Sequence, residues 1–226
     1  VLGVDLSVVG DKSLLDRPNT LIVCNHMSYL DIMILSSVMK TNYITSREVR
    51  EIPFFGIVCE LTGCVFVERR KEIRTPEIRE KELTHIRKFL KKGGSITLFP
   101  EATSTNGEEL LSFKKPMYGP ALDADSQVLL LCLNYLEVDG KPFSRANRDN
   151  VCWYGDMELV PHMKRLANLN SIKAEVRILE RTSASQFSDV NEAAEYSRQV
   201  INKSFRPVET GIESMARTGA LELSKV

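Results

Sequence analysis

Three short stretches of this chain carry side chains that could do chemistry. The first is Asn25-His26-Met27-Ser28-Tyr29-Leu30-Asp31. A neutral imidazole can take a proton from a hydroxyl, and a nearby carboxylate can hold the ring and stabilise the imidazolium that forms. A turn entering a helix lets Asp31 reach back to the other ring nitrogen of His26; a surface histidine beside an unrelated aspartate would give the same spacing. The second stretch is Gly63-Cys64-Val65-Phe66-Val67-Glu68-Arg69-Arg70. A strand ending in two arginines sets guanidinium forks at the rim of a sheet, suited to phosphate oxygens. A solvated strand end pairing with Glu68 or Glu72 fits those residues too. The third is Phe99-Pro100-Glu101-Ala102-Thr103-Ser104-Thr105-Asn106-Gly107. Its small hydroxylated residues and glycine would let N–H groups approach an anion, and Glu101 could orient a substrate hydroxyl or pair with the arginines. An ordinary polar loop has the same composition.

These stretches follow predicted strands. Thr20–Cys24 is a compact apolar run, and Tyr29–Met39 has apolar residues at helical spacing. Asn42–Thr45 reads as a second strand, then a helix opened by Pro53 carries Phe54, Phe55, Val58 and Leu61 and stops at Gly63. Cys64–Val67 is the next strand. Thr75 and Pro76 open a helix with Ile78, Leu83, Ile86, Phe89 and Leu90 on its buried stripe and Arg79, Glu80, Lys81 and Glu82 facing water. Basic residues and Gly93-Gly94 end it. Ser95–Phe99 and Val128–Leu136 are further strands, with a short helix near Met117–Ala124 between them. Residues 137–157 read as an irregular insertion, Lys173–Glu180 as an edge strand, and Asp189 as the cap of a last helix closed by Pro207. Strands alternating with helices predict an α/β fold: a mixed, partly parallel sheet flanked by helices. Ligands in such folds gather at the carboxyl ends of strands, where all three stretches fall.

The 226 residues suit a single domain over 1–206, with 207–226 a polar, frayed tail. Thirty basic residues balance thirty acidic ones, which argues against a general nucleic-acid binder. Apolar runs fall short of a membrane span. The five cysteines are odd in number and sit mostly in apolar runs, so they read as reduced core thiols.

Taken together, the order and spacing of Asn25-His26-x4-Asp31, Gly63-x-x-Phe66-Val67-x-Arg69 and Phe99-Pro100-Glu101 resemble the first three sequence blocks of the glycerolipid acyltransferases. That family is typified by lysophosphatidic acid (1-acylglycerol-3-phosphate) acyltransferase, and the likeness to its bacterial PlsC-type members covers roughly residues 15–140. Phe113-Lys114 resembles a recurrent element downstream, and Asn150–Met157 a segment of bacterial members. The resemblance implies that His26 is the general base for an acceptor hydroxyl that attacks an acyl thioester, and that Asp31 orients and charge-balances it. It implies that Arg69 binds the acceptor's phosphate, that Glu101 and Thr103 complete that polar site, and that Lys114 adds a substrate contact. No acyl-enzyme is expected, since Ser28 lacks the Gly-x-Ser-x-Gly elbow of a serine hydrolase.

Three departures bear on the acceptor. Ala102 replaces the glycine usual in the third block, Ser104 stands where an arginine often follows, and Leu130 takes the place of a proline in the fourth. The expected activity is therefore transfer of a fatty acyl group from acyl-CoA or acyl carrier protein, as co-substrate, to a lysophospholipid, lysophosphatidic acid first. The alternatives are a phosphate-free lyso-aminolipid acceptor or a catalytically inactive lipid-binding relative. A metal-dependent hydrolase built on His26, Asp31, His162 and Glu101 lacks the usual ligand spacings; no cofactor or metal is expected. The expected partners are the lysolipid, the acyl donor and a membrane surface, at the cytoplasmic face of the inner membrane. Attachment would be peripheral or through an apolar or amphipathic anchor preceding Val1, helped by Ile52, Phe54 and Phe55.

Overall fold

The computed structural model describes residues 3–52, 55–61, 63–68, 70 and 72–208. The first strand, β1 (Val4–Val9), alternates half-buried and exposed residues. β2 (Thr20–Cys24) is buried at every residue, as a parallel strand covered on both faces requires. α1 (Leu30–Val38) returns the chain to β3 (Asn42–Ser46), and the short α2 (Arg47–Arg50) and α3 (Phe55–Leu61) lead to β4 (Val65–Val67). α4 (Pro76–Lys91) begins where Thr75 Oγ1 accepts from the Ile78 N–H, a cap contributing about 1 kcal/mol. Beyond it come β5 (Ser95–Leu98), α5 (Gly119–Asp123), β6 (Gln127–Val138) and the two-residue β7 (Lys141–Pro142). The chain then forms α6 (Leu159–Ala167), β8 (Ile172–Ser183) and α7 (Val190–Asn202), whose cap Asp189 accepts from Asn191 and Glu192 N–H.

The strands form one sheet in the order β1-β8-β6-β2-β5-β3-β4, with β7 paired to β6. Every pairing is parallel except β6 with β8 and β6 with β7, so the mixed, largely parallel architecture matches the expected fold class. The order places β2 at the centre, between β5 and β6, and brings the loops after β2 and β5 side by side.

Three expectations need correction. Lys173–Glu180 is not an edge strand: it lies inside β8, and β1 pairs parallel to its outer side. Glu82 does not face water. It shares a helix face with Ile86 and Leu90, is 5% exposed, and its Oε1 accepts from the Glu68 N–H at 2.7 Å. The segment before β8, on which the sequence pattern carries no expectation, forms α6, whose own His162 and Leu166 are buried. Val208, assigned to a frayed tail, is buried and donates to Gly107 O at 2.8 Å. Pro53, Phe54, the side chain of Phe55, Arg69 and residues 209–226 lie outside the described residues. Among the described residues none of the five cysteines forms a disulfide, and Cys24, Cys132 and Cys152 are buried. Among the described residues no helix is long and apolar enough to cross a membrane.

Candidate active site

β2 ends at Cys24 while its neighbour β6, paired to it as far as Leu131, runs on to Val138. The loop after β2 is built over that overhang. Asn25 is 1% exposed and bonds the Leu133 backbone through its side-chain amide. His26 follows, then a turn into α1 that places Asp31 in the first helical turn.

Asp31 is fully buried, and a buried carboxylate is tolerated only when donors surround it. Its Oδ2 contacts His26 Nδ1 at 2.8 Å and accepts from the N–H groups of Met27 at 2.7 Å and Ser28 at 2.9 Å. Its Oδ1 accepts from the Tyr135 hydroxyl at 2.6 Å. The His26 side chain is 17% exposed and stacks on Phe99, with centroids 4.1 Å apart and planes 13° apart. Phe99 in turn stacks on Tyr43 at 6.2 Å. Ring packing and Asp31 thus fix both the plane and the tautomer of the imidazole: Nδ1 carries the proton toward Asp31, and Nε2 is the nitrogen left for a substrate.

The loop after β5 locks onto the same histidine. Glu101 is 2% exposed; its Oε1 accepts from the His26 N–H at 2.8 Å and its Oε2 from the Leu111 N–H at 3.0 Å. Burial raises its carboxyl from about 4.5 to about 7, against the pull of those two N–H groups. Thr105 closes the junction, its N–H and hydroxyl both donating to His26 O. Glu101 therefore spends its oxygens holding two loops together. Ser104 donates to Trp153 O, and Trp153 N–H donates to Met27 O at 2.9 Å, so the 150–157 segment braces the site as well.

His26, Thr103 and Ser104 line an open groove of about 1410 Å³. Residues where β5 and β3 begin (Ser95, Asn42) and just past the end of β5 (Phe99) line the same groove, so it runs along β5 and β3 beneath α1. α1 contributes Tyr29, Ile32, Met33, Ser36 and Met39, at helical spacing. Ile52 lines it too, while Lys114 is exposed and is not among the lining residues. His162 is fully buried, its Nδ1 within 2.9 Å of the Tyr29 hydroxyl. It stands apart from the His26–Asp31 pair, and among the described residues no three His, Cys, Asp or Glu side chains gather to hold a metal ion. His85 is exposed on α4.

The fold brings His26, Asp31 and Glu101 together and sets Thr103 on the groove beside His26. Glu101, expected with Thr103 at a polar substrate site, is instead buried and is not among the residues lining the groove. The sequence carries no sign of Tyr135, which is 104 residues from Asp31, or of Phe99 as the floor of the imidazole. Only contact across the sheet reveals them.

An imidazole held by a buried carboxylate beside a long apolar groove would suit proton transfer from a hydroxyl on a lipid-like molecule. Among known proteins, the chain is 31% identical over 211 residues to the lyso-ornithine lipid O-acyltransferase of Rhizobium meliloti, covering 90% of this chain and 66% of that protein. It is 35% identical over 167 residues to the lyso-ornithine lipid O-acyltransferase of Brucella abortus, covering 71% and 61%. The chain thus spans somewhat less than two thirds of each relative. Its fold matches the crystal structure of the 1-acyl-sn-glycerophosphate acyltransferase PlsC from Thermotoga maritima with a TM-score of 0.64 at 22% identity, over 89% of this chain and 70% of that one. The sequence model described as Acyltransferase matches residues 5–133, from β1 through the His26 and Glu101 loops into β6. That match takes in more than half of the chain, which places it in the acyltransferase family.

Proposed function

We propose that this protein is an O-acyltransferase that esterifies the free hydroxyl of a lyso-aminolipid of the lyso-ornithine type, with an acyl thioester as donor. The observation that carries the reading is the His26–Asp31 pair, set at the rim of a groove long enough for acyl chains. The acceptor class rests on the two lyso-ornithine lipid relatives and on Ser104, which stands where a phosphate-binding arginine often follows the third block and turns its hydroxyl to Trp153 O. Lysophosphatidic acid is the second reading, favoured by the three sequence blocks and by Arg69, while Arg70 is already paired to Glu68 through Nε and Nη2.

In this mechanism His26 Nε2 takes the acceptor's hydroxyl proton as its oxygen attacks the thioester carbonyl. A C–O bond forms, the C–S bond breaks, and the imidazolium returns the proton to the departing thiolate. Asp31 stabilises the imidazolium at 2.8 Å. The substrate's own oxygen is the nucleophile: Ser28 is fully buried and its hydroxyl accepts from the Leu30 N–H. Thr103, exposed at the groove, and Arg69 contact the headgroup, since a guanidinium fork suits a carboxylate as well as a phosphate. Glu101 acts by positioning the His26 loop. The protein works at a membrane surface, where lysolipid and product reside.

The test is a labelled acyl thioester offered with lyso-ornithine lipid and, separately, with lysophosphatidic acid. Preferential labelling of the aminolipid supports the proposal, preference for the phosphate supports the second reading, and labelling of neither sinks both. His26→Ala should remain folded and lose at least several hundredfold in turnover, because general base catalysis supplies about 10²–10⁴.

A further inference from the structure

Asp31 has two carboxylate oxygens, and the three donors on Oδ2 are all local, lying within five residues in sequence. Oδ1 has a different kind of partner. The Tyr135 hydroxyl reaches it at 2.6 Å from the β6 overhang, beyond the last β2 pairing. Tyr135 is 2% exposed, and its ring packs on Phe143 with centroids 5.7 Å apart. A bulge in the β6–β8 ladder falls between Tyr135 and Glu137; such irregularities re-aim a side chain. The phenol is an O–H donor in a fixed direction at a site closed to water.

We propose that Tyr135 is a positioning residue for the His26–Asp31 pair: its hydroxyl fixes the Asp31 carboxylate plane and draws charge toward Oδ1, which sets how strongly the carboxylate holds a protonated His26. This rests on the reading of His26 as the general base.

The physical reasoning is a comparison of two states. When His26 is neutral, Asp31 carries its full charge and the phenol donor is worth most. When His26 is protonated, part of that charge is already compensated and the phenol is worth less. The hydroxyl therefore favours the neutral, proton-accepting imidazole. Removing it concentrates charge on Oδ2, tightens the grip on the imidazolium, and leaves more of the enzyme in the wrong protonation state at a given pH.

Other titratable groups face Asp31. Cys24 on β2, Tyr43 on β3 and Cys152 before α6 are raised by burial, as Tyr135 itself is, and stay neutral through the working range. Glu101, at about 7, titrates inside it. The experiment is therefore run in the wild-type and Glu101→Gln backgrounds, on the protein with its lysolipid acceptor and acyl thioester.

Tyr135→Phe keeps the ring against Phe143 and removes the donor alone. The acidic limb of the kcat/KM profile should move upward by roughly half to one pH unit, because only part of a charged hydrogen bond is differential. On the acidic side of the limb kcat/KM should fall about 3–10-fold, the factor that such a displacement gives, with the KM of the thioester unchanged within about twofold. Site-specific 3-fluorotyrosine at 135, a stronger donor, should move the limb the opposite way. NMR of the imidazole nitrogens, in a chain with three histidines, should follow the same two displacements. A limb that stays in place in both variants, or a uniform loss of activity at every pH, overturns the proposal and leaves Tyr135 a packing residue. If Tyr135→Phe does not fold, the fluorinated protein decides alone, and an unmoved limb counts against the proposal. If His26→Ala is as active as wild type, the base assignment fails first and takes this proposal with it, an outcome separable from an inert Tyr135.

Discussion

Asn25 and Leu133 exchange two hydrogen bonds through a side chain that imitates a strand. The Asn25 Nδ2 donates to Leu133 O at 2.9 Å, and the Leu133 N–H donates to Asn25 Oδ1 at 2.8 Å. β2 has already ended at Cys24, yet its ladder with β6 gains one further rung made from an amide group. The backbone is thereby free to turn at His26, the proposed base. Asn25 is thus the hinge between a rigid strand and the His26 loop, which explains the first residue of the Asn-His-x4-Asp stretch.

Asn25→Ala leaves both backbone groups of Leu133 buried without partners. Each such group costs about 1–3 kcal/mol, so unfolding in urea should show a loss of roughly 2–6 kcal/mol. Asn25→Asp should be no better, since a carboxylate cannot donate to Leu133 O. Retained stability in either variant would show that the rung is dispensable.

Ala102 sits at φ +61°, a left-handed conformation that costs a residue with a Cβ about 1–2 kcal/mol. Glycine enters that region freely but gains entropy in the unfolded chain. The balance predicts that Ala102→Gly stabilises by about 0.5–1 kcal/mol and raises Tm by roughly 1–4 °C. A lower Tm measured by calorimetry would mean that the methyl group's packing outweighs its strain.

The parts of the molecule that were legible in the sequence are those set by local pattern. Thr75-Pro76 announces α4 because capping is a short-range event, and Leu21–Cys24 reads as an apolar strand because burial on both faces leaves no polar position there. Glu82 misleads for the opposite reason: charge on a helix is ordinarily solvated, and only the approach of β4 turns its carboxylate onto the Glu68 N–H. β1 was missed although its residues alternate, and without it β8 reads as an edge. His26 and Asp31 announce themselves by spacing and chemical type. Glu101 does so only in part, because its role depends on the amides of His26 and Leu111, which pattern does not place beside it.

Glu101 gives the protein a signed pH dependence. The native state keeps a proton on this carboxyl up to about pH 7, whereas the unfolded chain releases it near 4.5. Between those values the native state binds more protons, so this group's contribution to stability is fully present below about 4.5 and declines as pH rises through 7. At about 1.36 kcal/mol per pH unit of difference, the decline is about 3 kcal/mol. Glu101→Gln cannot titrate and should remove that slope, at a constant cost from an amide N–H₂ facing a backbone N–H. Urea unfolding from pH 4.5 to 8 should therefore give a wild-type-minus-variant stability difference that falls with pH. A flat or rising difference would rule out the raised carboxyl.

The groove provides the last test, because α1 acts along it as a graduated wall. Tyr29 lies near the His26 end, and Ser36 follows seven residues later on the same face, about 10 Å along at 1.5 Å per residue. The Ser36 hydroxyl sits 2.9 Å from the Tyr43 hydroxyl, and Val49 and Ile52 line the same groove. A bulky residue there should leave the base and its carboxylate untouched while shortening the path open to an acyl chain. Each methylene denied burial forfeits about 0.8 kcal/mol, so excluding two methylenes should lower relative kcat/KM roughly 15-fold. Ser36→Trp is accordingly expected to act normally on short-chain thioesters and to discriminate steeply against long ones. The acceptor's chain length should be varied in parallel: if selectivity shifts with the acceptor and not with the donor, the groove holds the lysolipid's chain. Equal loss at every length for both substrates would mean that neither chain lies along α1, and the assignment of the groove to acyl binding would be wrong.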